Sequence, residues 1–343
     1  SGRATPVTTT LPERTQPSDH VEPREISRTS TGSDAVFAGG ARAIGASVLV
    51  ITGSVGIFLG YQGYPTLKRY GLSFFTETQW LPDDDVIGIA AVLVGTFVVG
   101  ITAMVMAFPL ALGTALYISE YAPARLKPTL ISLVDLMAAV PSVIYGLWGA
   151  LLIMPHAADL AIWVDRYFGW IPIFDVVGGN PEAPVPTLAR YGFSSFCAAI
   201  AVAMMVLPMA CAVMRQVFSQ TPPGEKEAAL ALGATTWGMI RSVVLPFGRG
   251  GIIGGTMLAT GRALGETIAV VLILSPEFLL KFRPFEQGGN TISALIASRF
   301  NEASSSQLSA LLAAGFVLFL ITLGINTLAA IIVNRSRSGA ETD

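Results

Sequence analysis

Charge is scarce in this sequence: only 13% of its 343 residues are Asp, Glu, Lys or Arg, where a soluble domain carries about a quarter. Hydrophobic residues make up 52% and the mean hydropathy is +0.62, a balance that belongs in lipid. Neither sign of charge dominates, with 21 basic against 23 acidic residues and no block of like charge, so a nucleic-acid-binding surface is excluded. The chain has two cysteines and two histidines. Cys197 and Cys211 share one apolar stretch, and a helical rise of about 1.5 Å per residue sets them roughly 20 Å apart, too far to pair. His20 and His156 are remote in sequence and no Cys or His stands at ligand spacing, so no metal site is read. No Gly-x-x-x-x-Gly-Lys-Ser/Thr loop occurs, so nucleotide hydrolysis is not expected on this chain.

Residues 1–40 are rich in Thr, Ser, Pro and Arg and too poor in large apolar side chains to offset the entropy of ordering, which predicts a disordered tail. The pattern of a cleaved secretory signal is missing from it, so the first apolar segment is expected to stay as an anchor. Six stretches are long enough to cross a hydrocarbon layer, which takes roughly 20 helical residues: 41–61, 86–118, 130–154, 193–214, 252–274 and 308–333. The second contains Pro109 and is read as one tilted span or as a span with a bent extension. The expected organisation is a tail (1–40), a first span with its outer loop (41–85), an all-α membrane domain (86–334) and a C-terminal tail (335–343).

Charge outside the spans orients them. With both termini in the cytoplasm, that side holds Arg42, Arg125, Lys127, Arg215, Lys226, Arg241, Arg249, Arg335, Arg337 and four arginines of the N-terminal tail. The other side holds Lys68, Arg69, Arg166, Arg190, Lys281, Arg283 and Arg299, together with Asp83, Asp84 and Asp85, as the positive-inside rule favours. The outer segment 155–192 carries Trp163, Tyr167, Phe168 and Trp170, which predicts an interfacial helix serving as an aromatic belt or as a docking surface.

The cytoplasmic loop after the fourth span, within 219–250, opens with Thr221 and Pro222 as helix-start signals and places Glu225 and Glu227 in the first turn. Ala228, Ala229, Leu230, Ala231 and Leu232 sustain the helix, Gly233 allows a turn, and a second helix is predicted over 236–245, before Pro246. Glu227-Ala-Ala, three residues, Gly233, nine residues and Val243-Val-Leu245-Pro246 together resemble the EAA loop of binding-protein-dependent ABC importer permeases, with Val243 where that family usually has Ile. The resemblance implies a type I ABC importer transmembrane domain. It further implies that Glu227, Ala228, Ala229, Gly233, Leu245 and Pro246 couple the chain to a separate ATP-binding subunit, which would hold ATP and Mg.

Arg262 and Glu266 stand in the fifth apolar stretch, where an ionisable side chain costs roughly 2.5–3.5 kcal/mol on insertion scales. Their spacing puts them on one helical face, where they can neutralise each other. They are read as part of a translocation path, with a buried pair that only holds helices together as the alternative. Gly254, Gly255, Gly261 and Gly265 thin the helix for close packing or for a ligand. In the third span Pro141 predicts a bend, and Ser142 and Tyr145 line a path or satisfy a neighbouring helix. Asp135 is read as a packing partner or vestibule residue, and Asn326 of the last span as interhelical glue.

Residues 261–267, Gly-Arg-Ala-Leu-Gly-Glu-Thr, taken with 138–149 of the third span, resemble phosphate ABC importer permease subunits of the PstC type over about 86–333. That resemblance implies Arg262, Glu266 and Thr267 on a phosphate path. It also implies a heterodimer with a PstA-type permease, a PstB-type ATPase dimer, a PstS-type phosphate-binding protein and a location in the bacterial inner membrane. A permease for sulfate or molybdate, an ion-coupled secondary transporter and a membrane scaffold remain as alternatives.

Overall fold

The computed structural model describes residues 32–176, 178–180 and 188–337. The N-terminal tail as far as residue 31 and residues 338–343 of the C-terminal tail lie outside these. The chain divides into two compact units, Ser1–Gly53 and Ser54–Asp343. Helix α1 (Gly32–Tyr70) makes the described residues of the first unit helical, including 32–40, which composition had given to the tail. The same holds at the other end, where helix continues to Arg337: local polarity ends neither helix.

After α1 come α2 (Ser73–Thr76), an antiparallel ribbon of β1 (Trp80–Leu81) and β2 (Val86–Ile87), and α3 (Ala90–Leu116). Next are α4 (Lys127–Ala139), α5 (Ser142–Trp148), α6 (Met154–Phe168), α7 (Leu188–Gly192) and α8 (Ser195–Ser219). The chain continues with α9 (Pro223–Ala231), α10 (Thr236–Met239), α11 (Leu245–Leu264), α12 (Ile268–Ile273), α13 (Ile292–Arg299) and α14 (Ser305–Arg337). Among the described residues six helices are long and apolar enough to cross a membrane: Asp34–Tyr70, Ala90–Tyr121, Ser142–Phe168, Ser195–Ser219, Thr236–Leu264 and Ser305–Val333. The second runs through Pro109 without a break and is one span.

Two spans are displaced most from the sequence expectation, and a proline bears on where each begins. The predicted span 130–154 is interrupted because Val140, preceding Pro141, is extended (φ −66°, ψ 128°), the conformation that the ring of a following proline favours. The continuous apolar helix is Ser142–Phe168 instead, so Trp163, Tyr167 and Phe168 close a span and do not form a separate interfacial helix. The predicted stop before Pro246 does not occur: α10 runs on through a π turn, Ile240–Val244, into α11. A π turn, Gly149–Ile153, also precedes Pro155, at the same offset. A wider turn absorbs the missing amide and moves the carbonyl with which the ring would collide, so the helix continues. The fifth span therefore begins earlier than 252, and it ends at Leu264, before Gly265.

Helix α8 is the centre of the second unit, packed most extensively on α3 and α11. Ala198, Val202, Val206, Ala210, Met214 and Phe218 recur every fourth residue and are fully buried. Val99, Ala103, Ala107, Ala111 and Ala115 of α3 repeat the same spacing, also buried, in the same core cluster. In lipid, where apolar burial offers little drive between helices, stripes of small residues hold them together by close van der Waals contact. Glycine does this for α11: an ideal Cβ on Gly251 would lie 2.5 Å from the Val217 side chain.

Candidate functional site

The loop after the fourth span is a helical hairpin. Helix α9 ends in a Schellman motif, with Gly233 at φ +88°, its amide donating to Leu230 O (2.9 Å) and the Ala234 amide donating to Ala229 O (3.1 Å). Only glycine takes that conformation without strain. Thr235 then caps α10 by accepting the Gly238 amide at 3.1 Å. Glu227 and Ala228 are exposed, Ala229 and Leu245 half-buried, and Pro246 exposed. Leu230, Leu232 and Trp237 also stand exposed, an apolar surface on an otherwise polar loop. The loop is tied to the membrane helices by Lys226, whose Nζ lies 2.7 Å from Glu120 Oε1.

The fifth span ends where its two charges begin to differ. Gly265 caps α11 after Leu264, and residues 265–267 turn the chain before α12. Glu266 is buried, and its Oε1 accepts the Ala269 amide at 3.3 Å, so it sits on the amide end of α12. Arg262, one turn earlier on α11, is exposed. The expected Arg262–Glu266 neutralisation does not form among the described residues, because spacing by four aligns side chains only along an unbroken helix. Thr267 Oγ donates to Gly265 O at 3.2 Å, within the turn.

Arg262 opens instead on a cleft of about 460 Å³. Met209 of α8, Gly261 of α11, Gly265 of the turn after it, and Thr322 and Asn326 of α14 line it with Arg262. An ideal Cβ on Gly261 would stand 3.5 Å from Asn326 Oδ1, so the absent side chain leaves the amide room beside Arg262. Neither the Arg262 guanidinium nor the Asn326 amide has a partner among the described residues. Sequence reasoning had set Asn326 aside as interhelical glue. The available signal was the spacing of Thr322 and Asn326, four apart on an apolar span.

Glu266, Thr267, Ser142 and Tyr145 do not line this cleft. Tyr145 is buried and donates to Met137 O at 2.8 Å, spanning the break at Pro141, while Ser142 is half-buried at the start of α5. Helix α5 packs closely on α12, with an ideal Cβ on Gly146 falling 2.8 Å from Ala269 Cα. Asp135 meets Arg215 of α8 at 3.8 Å, the packing-partner alternative. Tyr191, outside the spans on α7, donates to Asp165 Oδ2 of α6 at 2.8 Å, and burial, then that hydrogen bond, pushes its phenol well above the usual tyrosine range.

Comparison with known proteins agrees with this architecture. Two solved chains share the fold: one from a bacterial alginate ABC transporter in complex with an alginate pentasaccharide-bound periplasmic protein (17% identity, TM-score 0.59, 88% of this chain and 95% of that one), and one from a bacterial ABC transporter involved in import of alginate (16% identity, TM-score 0.51, 88% and 99%). Among curated proteins, the phosphate transport system permease protein PstC 2 of Mycobacterium bovis is 37% identical over 316 residues, covering 91% of this chain and 95% of its own. The PstC protein of Xylella fastidiosa strain Temecula1 is 35% identical over 297 residues, covering 84% and 87%. Residues 107–338 match the family described as the binding-protein-dependent transport system inner membrane component, and with six helices able to span a membrane the chain belongs to that family.

Proposed function

We propose that this chain is the permease subunit of an ATP-driven importer of inorganic phosphate, and that Arg262 is the residue that receives the anion. The observation that carries the reading is the unpartnered Arg262 guanidinium facing a cleft beside the Asn326 amide. A planar fork of five donors suits a tetrahedral oxyanion, and an unneutralised charge at membrane depth lowers the anion's dehydration cost. Relatives named as phosphate transport permeases over most of their length support phosphate as the cargo. Glu266 acts through the backbone: it fixes the start of α12 and so the turn that aims Arg262.

In this reading the chain pairs with a second, PstA-type permease, and ATP and Mg are bound on a PstB-type dimer seated on the hairpin of α9 and α10. A PstS-type protein delivers phosphate from outside, and both termini lie in the cytoplasm. The exposed Leu230, Leu232 and Trp237 supply the apolar part of the ATPase contact. The test is ATP-dependent uptake of labelled phosphate into vesicles carrying the whole complex, comparing wild type with Arg262→Gln at matched assembly. Lost uptake in intact complexes supports the reading, and unchanged uptake sinks it. Excess sulfate that competes as well as unlabelled phosphate would reassign the cargo to oxyanions in general.

A further inference from the structure

Glu120 occupies the π turn Tyr117–Tyr121 that ends the second span. Its side chain is only 5% exposed, yet it carries a carboxylate, and two donors converge on Oε1: Lys226 Nζ and Ser119 Oγ, each at 2.7 Å. Lys127 Nζ donates to Ser119 O at 2.8 Å, fixing the same turn from the start of α4. Lys226 belongs to α9 and immediately precedes Glu227. A desolvated ion pair contributes little net stability compared with apolar residues of the same volume, and its best-attested use is to fix register.

What the pair registers is visible along α3. From Glu120 the second span runs back to Gly100, twenty residues or about 30 Å of helix. There an ideal Cβ would fall 2.6 Å from Leu264 Cδ2, so α3 and α11 touch at the last residue before the turn beside Arg262. Each route includes one π turn, Tyr117–Tyr121 or Ile240–Val244, but the covalent route from α9 to the same place also crosses the helix break at Gly233. The ion pair provides a second route along one continuous helical span, Ala90–Tyr121.

We propose that the Lys226–Glu120 pair is a strut that carries displacement of α9 into the second span and along it to the helix break beside Arg262, making both positioning residues of transport. The proposal rests on the reading of α9 as the ATPase contact. The second span, continuous from Ala90 to Tyr121, shifts Gly100 against Leu264 when it is pushed at Glu120. Without the strut, α9 moves and the break does not follow.

The experiment measures phosphate uptake per ATP hydrolysed in proteoliposomes containing the full complex and binding protein. Wild type is compared with Glu120→Gln, Lys226→Met, their double variant and Lys226→Arg. Each single neutralisation is expected to lower the ratio several-fold, the double variant to be no worse than the singles, and Lys226→Arg to keep most of it. A wild-type ratio in both singles, losses that multiply in the double variant, or failure of all four variants to assemble would overturn the strut. Glu227→Arg separates the underlying reading: if it retains the ATPase subunit and normal uptake, α9 is not the ATPase contact, whatever the pair variants do.

Discussion

Arg262 and Glu266 are four residues apart and do not share a helix: α11 stops at Leu264, and Glu266 Oε1 accepts the Ala269 amide at 3.3 Å. The carboxylate is thereby occupied at the start of α12 and the guanidinium is left to the cleft. Glu266→Gln keeps an acceptor at that amide, whereas Glu266→Ala gives up a capping bond of about 1 kcal/mol. Uptake should therefore fall in the order wild type, Gln, Ala. If Gln transports no better than Ala in equally assembled complexes, the negative charge itself is required and the capping role is wrong.

Gly95 marks where α3 meets the chain entering α13. An ideal Cβ there would lie 2.1 Å from Asn290 O, and Thr96 Oγ next to it accepts the Ile292 amide at 3.0 Å. Backbone cannot swing aside as a side chain does, so Gly95→Ala should cost about 1–3 kcal/mol. Gly113, on the same helix with open space around its Cβ, is the control, and Gly113→Ala should gain about 0.5–1 kcal/mol. Thermal midpoints of the two variants in detergent decide it, and equal shifts would refute the packing argument.

Much of this arrangement could be read from residue spacing, and the failures share a cause. Six apolar helices, the turn at Gly233 and the helix start after Pro222 follow from local pattern, because length, φ preference and capping are properties of a few neighbouring residues. The continuation of helix through Pro155 and Pro246 does not follow, since a π turn depends on how neighbouring helices hold the segment. The separation of Arg262 from Glu266 was hidden for the opposite reason: Gly265 looked like one more small residue on a span and is the end of it. Asn326 was legible as polar but not as a neighbour of Arg262, a relation between helices far apart in sequence.

Tyr191, part of the central core cluster, and Asp165 form a buried pair, with Val176 donating its amide to Asp165 Oδ1 at 3.3 Å. Tyr191→Phe leaves Asp165 Oδ2 without its phenol donor, at a cost of about 1–3 kcal/mol. The phenol is raised in the folded state by burial and by Asp165, so folding favours its protonated form. That contribution is complete below the unfolded tyrosine value of about 10 and is lost as pH rises beyond it. The stability gap between wild type and Tyr191→Phe should narrow above pH 10, and a gap that widens there would contradict the assignment.

Asn326 separates a substrate contact from helix packing. Its amide stands beside Gly261 in the cleft that Arg262 faces. If it donates to a bound oxyanion, Asn326→Leu removes a hydrogen bond to a charged group, about 1.5–3 kcal/mol, or a loss of roughly ten- to a hundredfold in uptake at limiting phosphate. Assembly should be untouched, because Leu has the same branching and number of heavy atoms as Asn, stands at an exposed position of α14 and suits an apolar span. Asn326→Asp should be worse, since a carboxylate there repels the anion and pairs with Arg262. Glue between helices predicts another pattern: the Leu variant would lose assembled complex and uptake in equal proportion, leaving uptake per complex unchanged.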